Sequence, residues 1–149
     1  MNITGTIESL LGQKPAPIWS IEPEATVYEA IKLMADKNIG ALLVMRGDKL
    51  SGVFSERDYT RKVVLRGKSS RETRVREIMP EEIFAAEPSF TVEECMRLMT
   101  EKRVRHLPVL DGQRVAGIVS IGDLVNWTIS AQSQALDQMH DYISGKYPG

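Results

Sequence analysis

The stretch GVFSERD, Gly52–Asp58, returns as GIVSIGD, Gly117–Asp123. Each opens on glycine, continues with two apolar residues and reaches a serine followed three residues later by aspartate. Such a run reads as a buried strand entering a helix, because Ser-x-x-Asp can satisfy the first orphan N–H groups of a helix. Shifting the sequence by 65 positions extends the match without a gap over residues 19–58 and 84–123. Self-similarity of that length means two copies of one supersecondary unit.

Each copy starts with a short apolar stretch, Trp19–Ile21 or Phe84–Ala86, followed by Glu-Pro and a threonine. Thr26 with Glu29, and Thr91 with Glu94, are capping boxes, so a helix begins at each. The residues Val27, Ala30, Ile31 and Met34 recur at helical spacing, as do Val92, Cys95, Met96 and Met99, and each set forms one buried stripe. Two strand-like runs follow, ALLVM with LSGVFS and HLPVL with VAGIVS, joined by turns at Gly47-Asp48 and Asp111-Gly112. A second helix then starts at Ser55 or Ser120. The reading is an α/β fold of two strand-helix-strand-strand-helix repeats, each too small to bury its apolar face alone, so the copies pack together.

Along the chain, residues 1–65 are an N-terminal segment with the first repeat, 66–76 a linker, 77–130 the second repeat, and 131–149 a helical tail. In the tail Leu136, Met139 and Ile143 share one face, which suits docking or dimerisation.

The chain has 149 residues, 42% of them hydrophobic and 26% charged, and a net charge of −1. These values fit an ordinary soluble protein and argue against a whole-surface grip on nucleic acid. No apolar run is long enough to span a bilayer, and the N-terminus lacks the charge and apolar pattern of an export signal, so a cytoplasmic protein is expected. A single cysteine, Cys95, excludes a disulfide framework and a cysteine-rich metal site. The basic run Arg61–Arg76 is either a solvated linker or a patch for an anionic partner.

The doubled Ser-x-x-Asp admits two readings. It can simply begin a helix. Alternatively, the glycine marks a place where a ligand approaches the strand closely. There the helix N-terminus suits a phosphate and the carboxylate can accept hydrogen bonds from a vicinal diol, and phosphate with diol means nucleotide. Arg105 and His106 at the start of a strand, and Arg57 inside the first motif, add the matching charge.

These residues resemble a tandem pair of cystathionine-β-synthase (CBS) domains, a Bateman module, in its small standalone bacterial form. The resemblance rests on GVFSERDY, VREIM, RHLPV and GIVSIGDL and covers about residues 15 to 128. It implies pseudo-twofold packing with two clefts for AMP, ADP, ATP, NAD or S-adenosylmethionine, none an obligatory cofactor. Carried over, the pattern makes Asp58 and Asp123 ribose ligands, puts Ser55 and Ser120 near ribose or phosphate, and sets Val53 and Ile118 beside the base. The Asp58 cleft would draw Met79, Phe84 and Val104 from the second half, and the Asp123 cleft Lys14, Trp19 and Ile39 from the first. Arg105 and His106 would meet phosphate, with Arg57 available for another.

The copies differ where it matters. Gly40 and Ala41 stand where the second copy has Arg105 and His106, and Gly122 stands where the first has Arg57. Chemically different clefts are expected, one tight and one weak or empty. Catalysis finds little support: the chain has two histidines, no metal-ligand spacing and no Walker-type loop. The expected role is a regulatory adenosine-nucleotide sensor in signal transduction, a homodimer read by an effector protein. The alternatives are a ligand-free interaction module and a nucleic-acid-binding regulator.

Overall fold

The helices announced by the threonine caps both form in the computed structural model, which describes residues 5–13 and 17–143. Helix α2 (Val27–Lys37) carries the full box: Glu29 N–H donates to Thr26 Oγ1 at 3.1 Å, and the Glu29 carboxylate accepts from Thr26 N–H at 3.2 Å. At α5 (Val92–Lys102) the bond from Glu94 N–H to Thr91 Oγ1, 3.0 Å, stands without its reciprocal. The two helices end alike, with Asn38 and Arg103 left-handed at φ 54° and 56°. Along the stripes Val27, Ala30 and Met34, and Val92, Cys95 and Met99, are buried, while Ile31 and Met96 are half-buried.

Each copy folds its two longer strands into an antiparallel hairpin, β2 (Ala41–Arg46) with β3 (Lys49–Ser55) and β4 (His106–Asp111) with β5 (Arg114–Ser120). Gly47 and Gly112 turn the hairpins at φ 64° and 65°, values L-residues rarely adopt. The second turn consists of Gly112 and Gln113, because Asp111 already pairs with Arg114. Both hairpins slip register at the same place, after Val44 and after Val109, immediately beside Gly52 and Gly117. Such bulges bend a strand and re-aim its end. The copies differ at their opening strand. In the first, β1 (Ser20–Ile21) pairs in parallel with β2, whereas in the second a single bridge from Ala86 to Val109 replaces the strand expected over Phe84–Ala86.

The helices after the serine caps also diverge. After Ser55, α3 (Glu56–Tyr59) widens into a π-helical turn over Thr60–Val64. The helix then stops at Gly67, with N–H bonds from Gly67 to Val64 and from Lys68 to Val63. After Ser120, α6 runs unbroken over Ile121–Ile143, 23 residues.

Two short helices tie the copies together crosswise. Helix α1 (Ile7–Gln13), which precedes the first repeat, buries Ile7 and Leu10 in the core of the second with Val92, Leu107, Val119 and Leu124. Helix α4 (Val75–Ile78), which precedes the second repeat, buries Val75 and Ile78 in the core of the first with Val27, Leu42, Phe54 and Val63. Backbone bonds fasten both: Ile7 N–H donates to Phe90 C=O at 2.8 Å, and Val75 N–H to Ala25 C=O at 2.9 Å. The stretch read as a linker therefore contributes core residues, Val75 among them.

Candidate functional site

Both doubled motifs are real caps. Asp58 N–H donates to Ser55 Oγ at 3.2 Å, while Asp58 Oδ2 accepts from Ser55 N–H at 3.0 Å and from Ser55 Oγ at 2.9 Å. Asp123 N–H donates to Ser120 Oγ at 3.0 Å, and Asp123 Oδ2 accepts from Ser120 N–H at 2.9 Å. In each carboxylate the cap engages Oδ2, leaving Oδ1 outside it. Capping and ligand binding are therefore compatible: the cap fixes the rotamer that presents the other oxygen. Asp58 Oδ1 stands 3.6 Å from Lys62 Nζ, one helical turn on.

The glycines have a partner within the protein. A Cβ at residue 52 would stand 2.9 Å from Met79 Sδ, and one at residue 117 would stand 3.1 Å from Leu11 Cδ2. The close approach inferred from these glycines is thus made by protein side chains.

Asp58 faces a cavity of about 490 Å³ between the copies. The first repeat supplies Gly40, Val53, Ser55, Arg57 and Asp58, and the second supplies Phe84, Val104, Arg105 and His106. Arg57 spans the seam, its Nη1 donating to the Arg103 carbonyl at 3.1 Å. Lys62 fastens the floor by donating to Ile78 C=O at 3.0 Å. Lys102 Nζ lies 5.1 Å from the centroid of the Phe84 ring. His106 lies against Gly40, and burial lowers its pKa below the usual imidazole value. Asp123 and Glu56 pull it back up and Arg105 pushes it down, so the ring is neutral at pH 7.

Asp123 faces a second cavity of about 380 Å³, with Ile118 beside it. Its other walls are Leu10, Leu11 and Gln13 of α1, Pro17 and Ile18, and Asn126 and Trp127 of α6. Trp19 and Ile39, expected here, pack instead against the first-repeat core, with Lys37 Nζ 4.3 Å above the Trp19 ring. Ser120 serves as cap, Ala41 is buried opposite Ser55, and Met79 presses on Gly52. Lys14 lies outside the described residues.

Sequence reasoning missed Arg61, Lys62, Lys102 and Arg103 in the first cavity and Trp127 in the second. One signal was available: Lys62 and Trp127 each follow their aspartate by four residues, one helical turn. The basic side chains of the run Arg61–Arg76 are mostly exposed, yet several engage groups of the same chain. Arg61 and Lys62 line the cavity, Arg71 stacks on Tyr28, Arg74 donates to Glu24 C=O, and Arg76 pairs with the Glu24 carboxylate at 3.0 Å. Cys95 is buried and its thiol is raised to about 11 by burial and by Glu94, which disqualifies it as a nucleophile. Among the described residues no three His, Cys, Asp or Glu side chains gather as a metal site requires, and no helix is long and apolar enough to cross a membrane.

Comparison with known proteins finds one family in both repeats. The CBS domain family model matches residues 14–65 and 75–130. The CBS domain-containing protein CBSX3, mitochondrial, of Arabidopsis thaliana is 41% identical over 127 residues, covering 82% of this chain and 62% of that protein. The CBS domain-containing protein YhcV of Bacillus subtilis is 32% identical over 114 residues, 76% of this chain and 81% of its own. A solved structure of a putative signal-transduction protein with CBS domains from Burkholderia ambifaria shares 52% identity and superposes with a TM-score of 0.83, covering 86% of this chain and 96% of that one. Two segments matched by one family model, and a solved CBS-domain structure of the same fold, make one assignment: the chain belongs to the CBS domain family and is a tandem pair of such domains.

Proposed function

We propose that the pair is a regulatory sensor that binds an adenosine nucleotide, with the Asp58 cleft as its principal site. One observation carries this reading: a capped carboxylate with an oxygen outside its cap shares a cavity with cations from both repeats. The carboxylate suits a ribose diol, the cations suit phosphate, and Val53, Phe84 and Val104 offer an apolar bed for the base. Binding rather than catalysis is the role read here. A ligand bridging the halves changes their relation to the extent that it binds one arrangement better than another. An effector protein then reads that change, in the cytoplasm and from a homodimer built on α6.

Thermal melting with AMP, ADP, ATP and NAD tests the reading. A ligand specific for the folded state stabilises it by about 2.7 kcal/mol at 100 times its dissociation constant. Asp58→Ala should weaken binding by about 1.5–3 kcal/mol, the value of a hydrogen bond to a charged group. Absence of any shift with all four nucleotides would leave the interaction-module reading in its place.

A further inference from the structure

The same fold positions carry opposite chemistry in the two clefts. Around Asp58 stand six cations, Arg57, Arg61, Lys62, Lys102, Arg103 and Arg105, against three carboxylates, Glu56, Asp58 and Glu82. Around Asp123 the only charged group among the described lining residues is Asp123 itself. At the 65-residue offset Arg57 becomes Gly122, Arg61 becomes Asn126, Lys62 becomes Trp127 and Arg105 becomes Gly40.

Pairing within the protein does not cancel the first cleft's excess. Lys62 meets Asp58 and Arg57 donates to a backbone carbonyl, but Arg61, Arg103 and Arg105 have no carboxylate partner among the described residues. These three guanidinium groups are solvent-exposed on one cavity and so remain available to an anion that enters it. A monophosphate brings about two negative charges and each further phosphate about one more, so a diphosphate, with about three, matches the excess of cations over carboxylates. In the second cleft Trp127 supplies a flat apolar wall, and Gly5 packs so closely on its ring that a Cβ there would collide. A fixed indole beside a carboxylate suits a base and a diol without phosphate.

Resting on the nucleotide reading above, we infer that the two clefts sort ligands by charge. The Asp58 cleft takes adenosine carrying two phosphates, and the Asp123 cleft takes an uncharged nucleoside. The pair then holds both at once and reports the balance between a phosphorylated and an unphosphorylated form.

The test uses the full chain carrying Trp19→Phe, which leaves Trp127 as the sole indole and a reporter of the Asp123 cleft. Adenosine should change Trp127 emission with an affinity insensitive to salt. ADP should bind calorimetrically without changing that emission, compete weakly with adenosine, and weaken steeply as salt rises. Arg61→Ala with Arg105→Ala should lower ADP affinity about tenfold or more and leave the adenosine titration unchanged. Asp123→Asn should do the reverse. Competition of ADP and adenosine for one set of sites, or equal losses for both in either variant, overturns the sorting while the nucleotide reading stands. No binding of either ligand overturns both.

Discussion

His106 shows how one side chain ties cleft chemistry to stability. Its ring faces the Asp58 cavity, while its strand position pairs with Ser120, the cap of the helix that carries Asp123. Burial lowers its pKa, so the unfolded chain takes up a proton near pH 6.5 and the folded chain only at lower pH. Between those values the unfolded state binds more protons, and stability rises with pH. The contribution is complete above about pH 6.5 and is lost as pH falls through the folded value. Urea midpoints followed downward from neutral pH should therefore fall more for the native protein than for His106→Gln, before the carboxylates begin to titrate. Parallel curves would remove His106 from the account. The sequence offered His106 as a phosphate contact, and its packing against Gly40 across the seam is a tertiary contact that no local pattern encodes.

Helix ends carry the next level of the design, and they also mark how far the sequence could be read. Caps such as Thr26 with Glu29 and Ser55 with Asp58 were legible because all their partners lie within three residues. Helices α1 and α4, of 7 and 4 residues, were not: isolated helices so short do not form in water, and these exist through Ile7, Leu10, Val75 and Ile78 packing into the opposite repeat. The cation cluster was half legible, since Arg57 and Arg105 lie in the motifs while Arg61 and Arg103 enter the cavity through the π-helical turn and the end of α5. Arg103 holds φ 56° at that end, where a non-glycine residue costs about 1 kcal/mol or more. Replacing it with glycine keeps the carbonyl that Arg57 uses and removes one cation. Arg103→Gly is thus expected to raise the unfolding free energy by about 1 kcal/mol while weakening ADP. A melt showing no gain would mean that the side chain's contacts outweigh its backbone strain.

At the scale of the whole molecule, the long helix is the feature the two cores do not absorb. Leu124 of α6 is fully buried in the second core, but Ile129, Leu136, Met139 and Ile143 are 54%, 59%, 59% and 78% exposed. With Val125 and Gln132 these residues fall at alternating spacings of four and three, the seam of a two-stranded coiled coil. Asp137 lies off that seam, so a second copy can approach without meeting like charge, and Gln132 in the middle of the row suits a fixed register. Fully burying one such side chain is worth about 1.5–3 kcal/mol, enough in sum for a stable pair even when each is only partly covered. Val64, which occupies the position of Ile129 in the first repeat, is exposed as well, but Gly67 ends that helix before such a row can form. Sedimentation should find the full chain dimeric and a chain ending at Ile129 shifted toward monomer. Leu136→Glu with Met139→Glu, which keeps the helix at full length, should do the same by placing repelling charges on the seam. If both variants remain as dimeric as the full chain, the copies associate through another face and the apolar row of α6 awaits a different protein.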